Sequence, residues 1–358
     1  MPHRSTLTIG VDVSDKNCHL AVLDDNGAVI LRDRCATKRA ALSSWLRQFP
    51  PTAVNCIALE VGPHSPWMSR HLVSLGYEAI VGNPRKIALI SGHHTKSDVM
   101  DAETLARLAR VDPKLLSPVE HRSEATQAAR AILRSRDVVV RSRTQLINTV
   151  KGQAKAVGTP MTGGSSSAFH HRTDELPEVL ADALSPLMTV IGQLTKQIHH
   201  YDKVIDDMCE SVHTATQLLT PIYGVGNKTA LAFVLTIEVP ERFRNSRAVG
   251  SYLGLRPRRD QSGDSDRQLR ITKAGDPLVR RLLVQCAHRL LSENAADSDL
   301  KRWGLRLADR GGKSAKKRAV VAVARKLAVL MHRLWVAGEV YDPLYQARKH
   351  DPELQPAA

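Results

Sequence analysis

The sequence predicts an α/β domain at the N-terminus, a helical arm in the middle and a mostly α-helical C-terminal domain. Three observations predict this order. Residues 5–82 alternate short apolar runs with turn signals and two amphipathic segments. Residues 122–215 carry apolar positions at helical spacing over long stretches. From Leu219 onward, glycine turns separate basic amphipathic segments.

Residues 5–12, 17–24 and 27–33 read as strands, with Asp24-Asp25-Asn26-Gly27 as the hairpin turn between the second and third. A helix at about 38–48 follows, then strand 54–60, helix 65–75, strand 77–82 and the break at Asn83-Pro84. Three antiparallel strands followed by αβαβ is the order of an RNase H-like domain. The next helix, about 98–110, starts with Asp98 and Asp101.

Four carboxylates stand where an ionised group is costly. Asp12 ends the apolar run Leu7–Val11, and Glu60 ends Ile57-Ala58-Leu59. Asp98 and Asp101 are three apart and share a helix face. Brought together, these charges repel, and burial adds to the cost. Divalent cations remove that cost and create a site for phosphodiester chemistry. Hard carboxylates without Cys or His ligands suit Mg²⁺ or Mn²⁺. Singly, Asp98 also reads as an N-cap, and Asp101 and Glu103 as first-turn residues. Asp15 competes with Asp12, and Lys96 is placed to touch a phosphate.

A length of 358 residues predicts two or three domains, and no run approaches the roughly 18 apolar residues of a membrane helix. Met1–Ser5 leads directly into a strand and does not read as a signal peptide. Five cysteines without CxxC spacing predict a reducing, cytoplasmic setting, and action on DNA would make the chain nucleoid-associated when active. A net charge of +15 points to a polyanion, most often nucleic acid, although a merely basic soluble protein shares it.

The second region carries Arg130, Arg134, Arg136, Arg141, Arg143 and Lys151 around Ile132, Val139, Leu146 and Val150. This is either a solvated basic face or a phosphate-binding one; arginines without matching acids favour the latter. Thr159–Ser167 reads as a flexible loop. Residues 176–215 carry a long apolar stripe, including Leu184, Leu187, Ile191, Leu194, Ile198 and Ile205. It reads as a helical hairpin or coiled-coil arm for self-association. In the third region, Thr220–Thr229 has the form of a helix–hairpin–helix turn, either phosphate-binding or simply tight, with Lys228 at its end. Lys273 lies in Thr272-Lys273-Ala274-Gly275-Asp276. Residues from Lys313 to Arg333, with Lys316, Lys317 and Arg318, read as a basic amphipathic helix. The candidate nucleic-acid contacts are therefore Arg130, Arg134, Arg141, Arg143, Lys228, Lys273, Lys313, Lys316, Lys317 and Arg318.

Several motifs recur in a familiar order. They are Gly10-Val11-Asp12-Val13-Ser14, Leu59-Glu60-Val61-Gly62 and Lys96-Ser97-Asp98-Val99-Met100-Asp101-Ala102. Gly224-Val225-Gly226, Tyr252-Leu253-Gly254-Leu255, Gln261-Ser262-Gly263 and Thr272–Asp276 follow. In this order and spacing the chain resembles the DEDD transposases of insertion-sequence family 110, the RNA-bridge-guided recombinases, over nearly its whole length. The resemblance implies a RuvC-type, Holliday-junction-resolvase-like domain joined to a domain with a nucleophilic serine. It implies a structured RNA encoded by the element, donor and target double-stranded DNA, and a homo-oligomer, a dimer or tetramer, in which carboxylates and serine meet across protomers. On the family pattern Ser262 forms a covalent 5′-phosphoserine link to DNA. Ser251, at the start of an apolar segment, and Ser265 are its competitors. The expected domains are 1–155 (catalytic, with the basic helix), 156–215 (linker and arm), 216–345 (serine-bearing) and a disordered tail, 346–358. Two rival readings are a metal-dependent, junction-type nuclease using water, and a non-catalytic nucleic-acid-binding protein.

Overall fold

The computed structural model describes residues 6–83, 98–262, 265–312 and 314–350. The chain forms two compact units, 1–123 and 124–358.

The first unit is built on a five-stranded sheet. Its strands are β1 (Leu7–Val13), β2 (Asn17–Leu23), β3 (Val29–Ala36), β4 (Val54–Glu60) and β5 (Ala79–Gly82), in the order β3-β2-β1-β4-β5. The β1–β2 and β2–β3 pairs are antiparallel; β1–β4 and β4–β5 are parallel. This is the α/β order read from the sequence. β3 begins later than expected because Gly27, at φ +83°, and Ala28 close the turn onto Asp24.

Side chains alternate across the sheet. Ile9, Val11, Leu20, Ile57 and Leu59 face helices α1 (Arg39–Leu46) and α2 (Ser65–Ser74), packing on Leu42, Leu46, Met68 and Leu72. On the opposite face Cys56, Ala58 and Ile80 meet Leu105 and Ala109 of α3 (Asp98–Val111).

The second unit opens with α4 (Glu124–Ala156) and α5 (Ala181–Ser211). They pair antiparallel: Arg136 meets Asp202, Arg143 donates to Thr195, and Val150 packs near Met188. The stripe assigned to self-association is largely consumed by this pairing and by the unit's main core. Leu184, Ile191, Ile198 and Ile205 are buried within the chain itself. The basic helix α4, which the sequence reading attached to the catalytic domain, falls in this unit.

Helix α6 (Asn227–Ile237) is buried from Thr229 to Ile237 and forms the centre of the main core. After α7 (Arg247–Tyr252) comes a two-stranded hairpin, β6 (Pro257–Ser262) and β7 (Ser265–Ile271). Helices α8 (Pro277–Leu290), α9 (Asp299–Ala308), α10 (Ala315–Ala337) and α11 (Tyr345–His350) complete it. The segment read as a basic amphipathic helix is α10. Its Val323, Ala324, Leu327, Ala328 and Met331 are core residues, while Lys316, Lys317 and Arg318 are exposed at its start. Of the expected tail 346–358, residues 346–350 are helical and 351–358 lie outside the described residues. No described helix is long and apolar enough to cross a membrane.

Candidate active site

The register places two of the four carboxylates side by side. β1 and β4 are parallel with Val11 opposite Leu59, so Asp12 and Glu60 stand one step further at the carboxyl ends of adjacent strands. Adjacent strands lie about 4.8 Å apart. Ile9 and Val11 face α1 and α2, so alternation turns Asp12 to the α3 face. Cys56 and Ala58 pack against α3, and Glu60 follows the same parity. Both carboxylates are half-buried.

Gly10 sets the approach of α3. A Cβ at Gly10 would sit 1.9 Å from the carbonyl oxygen of Ala102 and 2.8 Å from the nitrogen of Ala106. Helix and strand therefore touch backbone to backbone. The helix direction follows from its far end: Arg107 donates to Gly27 O (3.1 Å) and Arg110 to Asp25 O (2.7 Å). That turn lies at the amino end of β1, since Thr8 pairs with Leu23. The start of α3 accordingly points to the carboxyl ends of β1 and β4. Asp101, half-buried, lies one turn ahead of Leu105, which packs towards β4. Asp98 is the first residue of the helix, one turn ahead of Ala102; its side chain lies outside the described residues, as do Lys96 and its neighbours.

Three neighbours sharpen the picture. His19 is the cross-strand partner of Asp12 on β2 and shares its face. Spacing does not reveal it, but the short turn Ser14-Asp15-Lys16 fixes the register that does. Asp15, the competitor to Asp12, has a 93% exposed side chain and meets His64 at 3.2 Å. Glu103 bridges Arg32 (2.8 Å) and Arg107 (2.7 Å). Burial pushes its pKa up, but the hydrogen bonds from the two guanidiniums outweigh it and hold the carboxyl below its ordinary value. Asp15 and Glu103 therefore have partners of their own, a hydrogen bond to His64 and a two-arginine ion pair.

The donor set fits a hard divalent cation in kind: carboxylate oxygens at two strand ends and one helix start. Among the described residues no three His, Cys, Asp or Glu side chains form a metal-holding group on their own, and the Asp98 side chain is not among those compared.

In the second unit Gln261, Ser262 and Ser265 are strand residues, with Ser262 opposite Ser265. Residues 263–264 and the side chains of Ser262 and Ser265 lie outside the described residues. The exposed hairpin is clamped at its root. Gly254 (φ +70°) and Gly275 (φ +74°) allow the contact: a Cβ on Gly254 would fall 2.2 Å from Ala274 O, and one on Gly275 2.1 Å from Tyr252 O. Lys273 N donates to Gly254 O (3.1 Å), and Arg280 donates to both Leu253 O (3.1 Å) and Ala274 O (2.7 Å). The two motifs flanking Ser262 are thus the two halves of one clasp. Ser251 is exposed near the end of α7 and does not cap the helix start.

The basic candidates divide. Arg130 and Arg134 both pair with Asp276, Arg141 pairs with Asp137 (3.2 Å), and Lys228 with Asp202 (3.2 Å). These positions do have matching acids, supplied largely by other elements. Arg143 is half-buried against Thr195, and burial lowers its pKa. Lys273 is exposed at φ +54°. Lys316, Lys317 and Arg318 are exposed, and Lys313 lies outside the described residues.

Carboxylates at strand ends in one unit and a clasped, basic hairpin in the other are parts suited to an enzyme acting on nucleic acid. Comparison with known proteins agrees. Residues 9–157 match the IS110-type DEDD family described as Transposase, and residues 216–302 match the Transposase IS116/IS110/IS902 family. The transposase for insertion sequence element IS1328 of Yersinia enterocolitica is 30% identical over 284 residues, 78% of this chain and 82% of the relative. The transposase for element IS1111A of Coxiella burnetii is 29% identical over 353 residues, 93% and 90%. A pilin gene-inverting protein of Moraxella bovis is 25% identical over 298 residues, 81% and 83%. The chain belongs to the IS110/IS116 family of DEDD transposases. It is an insertion-sequence transposase, an enzyme that cuts and transfers DNA.

Proposed function

We propose that this transposase exchanges DNA strands by transesterification, with Ser262 as nucleophile and Asp12, Glu60, Asp98 and Asp101 as the acidic site, in an RNase H-like first unit. The in-register placement of Asp12 and Glu60 beside the start of α3 carries the reading. The carboxylates would hold Mg²⁺ or Mn²⁺, which when bound supplies positive charge to the phosphoryl oxygens and lowers the pKa of a coordinated hydroxyl.

The chain's own groups do the rest. The Ser262 oxygen attacks a DNA phosphorus as its proton passes to solvent or a nearby base. The phosphorus–O3′ bond breaks, and the leaving oxygen takes up a proton as a free 3′-hydroxyl. A 3′-hydroxyl from the second duplex then attacks the 5′-phosphoserine and releases the serine. One phosphodiester is exchanged for another, so rejoining needs no ATP. The clasp of Gly254 and Gly275 keeps the hairpin's root fixed while its exposed strands engage DNA. The resemblance to bridge-guided recombinases extends the proposal to a structured RNA partner and to an oligomer that brings serine and carboxylates together.

Ser262→Ala should lose both cleavage and the covalent adduct, whereas Ser251→Ala and Ser265→Ala should keep them. Denaturing electrophoresis with labelled DNA, followed by mass spectrometry of the linked peptide, reads this. A link through another serine moves the residue. Cleavage with free ends and no link replaces the proposal with a water-using nuclease. Asp12→Asn should abolish cleavage while leaving nucleic-acid binding in place, and near-normal strand exchange in that variant would remove Asp12 from the site.

A further inference from the structure

One recess of the second unit gathers four cationic side chains. It encloses about 450 Å³ and is lined by Arg247, Ser251, Arg256, Trp303, Arg325 and Lys326. That volume falls within the range of roughly 300–1,000 Å³ typical of ligand sites. Several other cations of the unit are matched: Arg130, Arg134, Arg136, Arg141, Arg281 and Lys228 all pair with carboxylates. Among the described residues, Arg247, Arg256 and Arg325 take part in no ion pair. Like charges gathered in one concavity repel one another, and a bound anion relieves that repulsion.

The recess is also built. A Cβ at Gly250 would lie 2.8 Å from Cγ of Arg325, so the absence of a side chain there makes room for the arginine's stem. Lys326 holds its ammonium 4.3 Å from the centre of the Trp303 ring, and burial lowers its pKa. Arg256 is followed directly by Pro257, the first residue of β6, the strand that ends at Ser262. A strand bound in the recess is therefore held beside the root of the serine-bearing hairpin.

We propose that this recess is a phosphodiester-binding subsite, taking the backbone of a nucleic-acid strand through Arg247, Arg256 and Arg325. It deepens the strand-exchange reading and rests on that reading for the kind of polymer. Arginine matches phosphate oxygens in a two-pronged way that lysine does not. The indole adds a flat face beside the phosphates on which an unpaired base can stack.

The test is fluorescence anisotropy of full-length protein with labelled duplex DNA, single-stranded DNA and RNA of equal length, each over a range of salt concentrations. Arg247→Gln/Arg325→Gln should weaken binding by about tenfold per lost contact and flatten the log–log salt slope by about two units. Arg172→Gln/Arg302→Gln removes the same charge from arginines already paired with Glu175 and Asp297, and should leave the slope unchanged. Gly250→Ala displaces the Arg325 stem without changing charge, and should weaken binding too. If the double variant fails to fold, Arg325→Gln alone should flatten the slope by about one unit. A loss confined to one of the three polymers identifies the strand that the recess holds. An unchanged slope in folded variants overturns the proposal. The Ser262 adduct is scored separately: a covalent link with an unchanged slope removes this subsite but leaves strand exchange standing. A flattened slope without any link does the reverse.

Discussion

Asp276 carries more of the second unit's stability than its place at the end of a motif suggests. Its side chain caps α8, accepting from Leu278 N at 2.8 Å and Val279 N at 3.3 Å, and pairs with Arg130 and Arg134. Burial pushes its pKa up, but the Arg130 charge and the two backbone N–H groups outweigh it, so the carboxyl stays below its ordinary 3.8. Asp276→Ala removes the carboxylate that the Arg130 guanidinium, 11% exposed, pairs with, and should cost about 3–5 kcal/mol. Because the folded-state pKa is depressed, this stability is whole above the unfolded value near 3.8 and is lost as pH falls through the lower folded value. The gap between wild type and variant in denaturant unfolding should therefore shrink in acid. A gap independent of pH would mean that packing, not charge, holds the site. The pairing was not legible in the sequence because Arg130 and Asp276 belong to elements far apart in the chain. Asp12 and Glu60 were legible because a carboxylate ending an apolar run stands out against its own neighbours.

Among elements, the crossing of β1 and α3 decides whether the proposed acidic site can form. Gly10→Ala would drive a Cβ into the Ala102 carbonyl, a backbone atom with little freedom to give. Overpacking of this kind costs about 1–3 kcal/mol. DNA cleavage should fall further than that destabilisation explains, since a lifted helix separates Asp98 and Asp101 from the strand ends. Cleavage that tracks the unfolded fraction alone would argue against α3 as part of the site. Gly152→Ala supplies the opposite sign. That glycine lies inside α4 with nothing within 4 Å of a built Cβ, so alanine should stabilise by about 0.5–1 kcal/mol. Thermal melts of both variants distinguish close approach from chain entropy. The strands of the first unit were readable because β1, β2 and β4 carry buried apolar runs and the Asp24–Gly27 turn marks the approach to β3. The β6–β7 hairpin was not: Arg258, Arg259, Asp260 and Gln261 are all exposed, so no alternation of apolar and polar residues marks the strand. The stripe on α5 misled for the converse reason. Apolar periodicity reports that a face is covered, but not whether the cover is α4 of the same chain or a second copy.

At the scale of the molecule, charge is divided unequally between the two units. Residues 124–358 hold 36 Lys and Arg against 24 Asp and Glu, so they carry twelve of the fifteen surplus positive charges. Residues 1–123 carry the other three and all four candidate carboxylates. Each unit has its own buried clusters, and none of the main clusters draws residues from both. That organisation predicts two chains that fold separately when cut at the boundary, because a compact unit with its own core needs no partner to exclude water. Non-specific affinity for nucleic acid comes from phosphate contacts and is lost as salt rises. The fragment 124–358 should therefore keep most of the salt slope of the full chain, while the fragment 1–123 should bind duplex DNA weakly at any ionic strength. Neither fragment should cleave, since the acidic site and the proposed serine are on different pieces. Circular dichroism melts establish whether each piece is folded, and anisotropy titrations at several salt concentrations give the slopes. A folded first unit binding DNA as steeply as the full chain would mean that local arrangement, not net charge, governs where the polymer sits. It would also move the search for phosphate contacts from the arginines around α7 and α10 to the sheet itself.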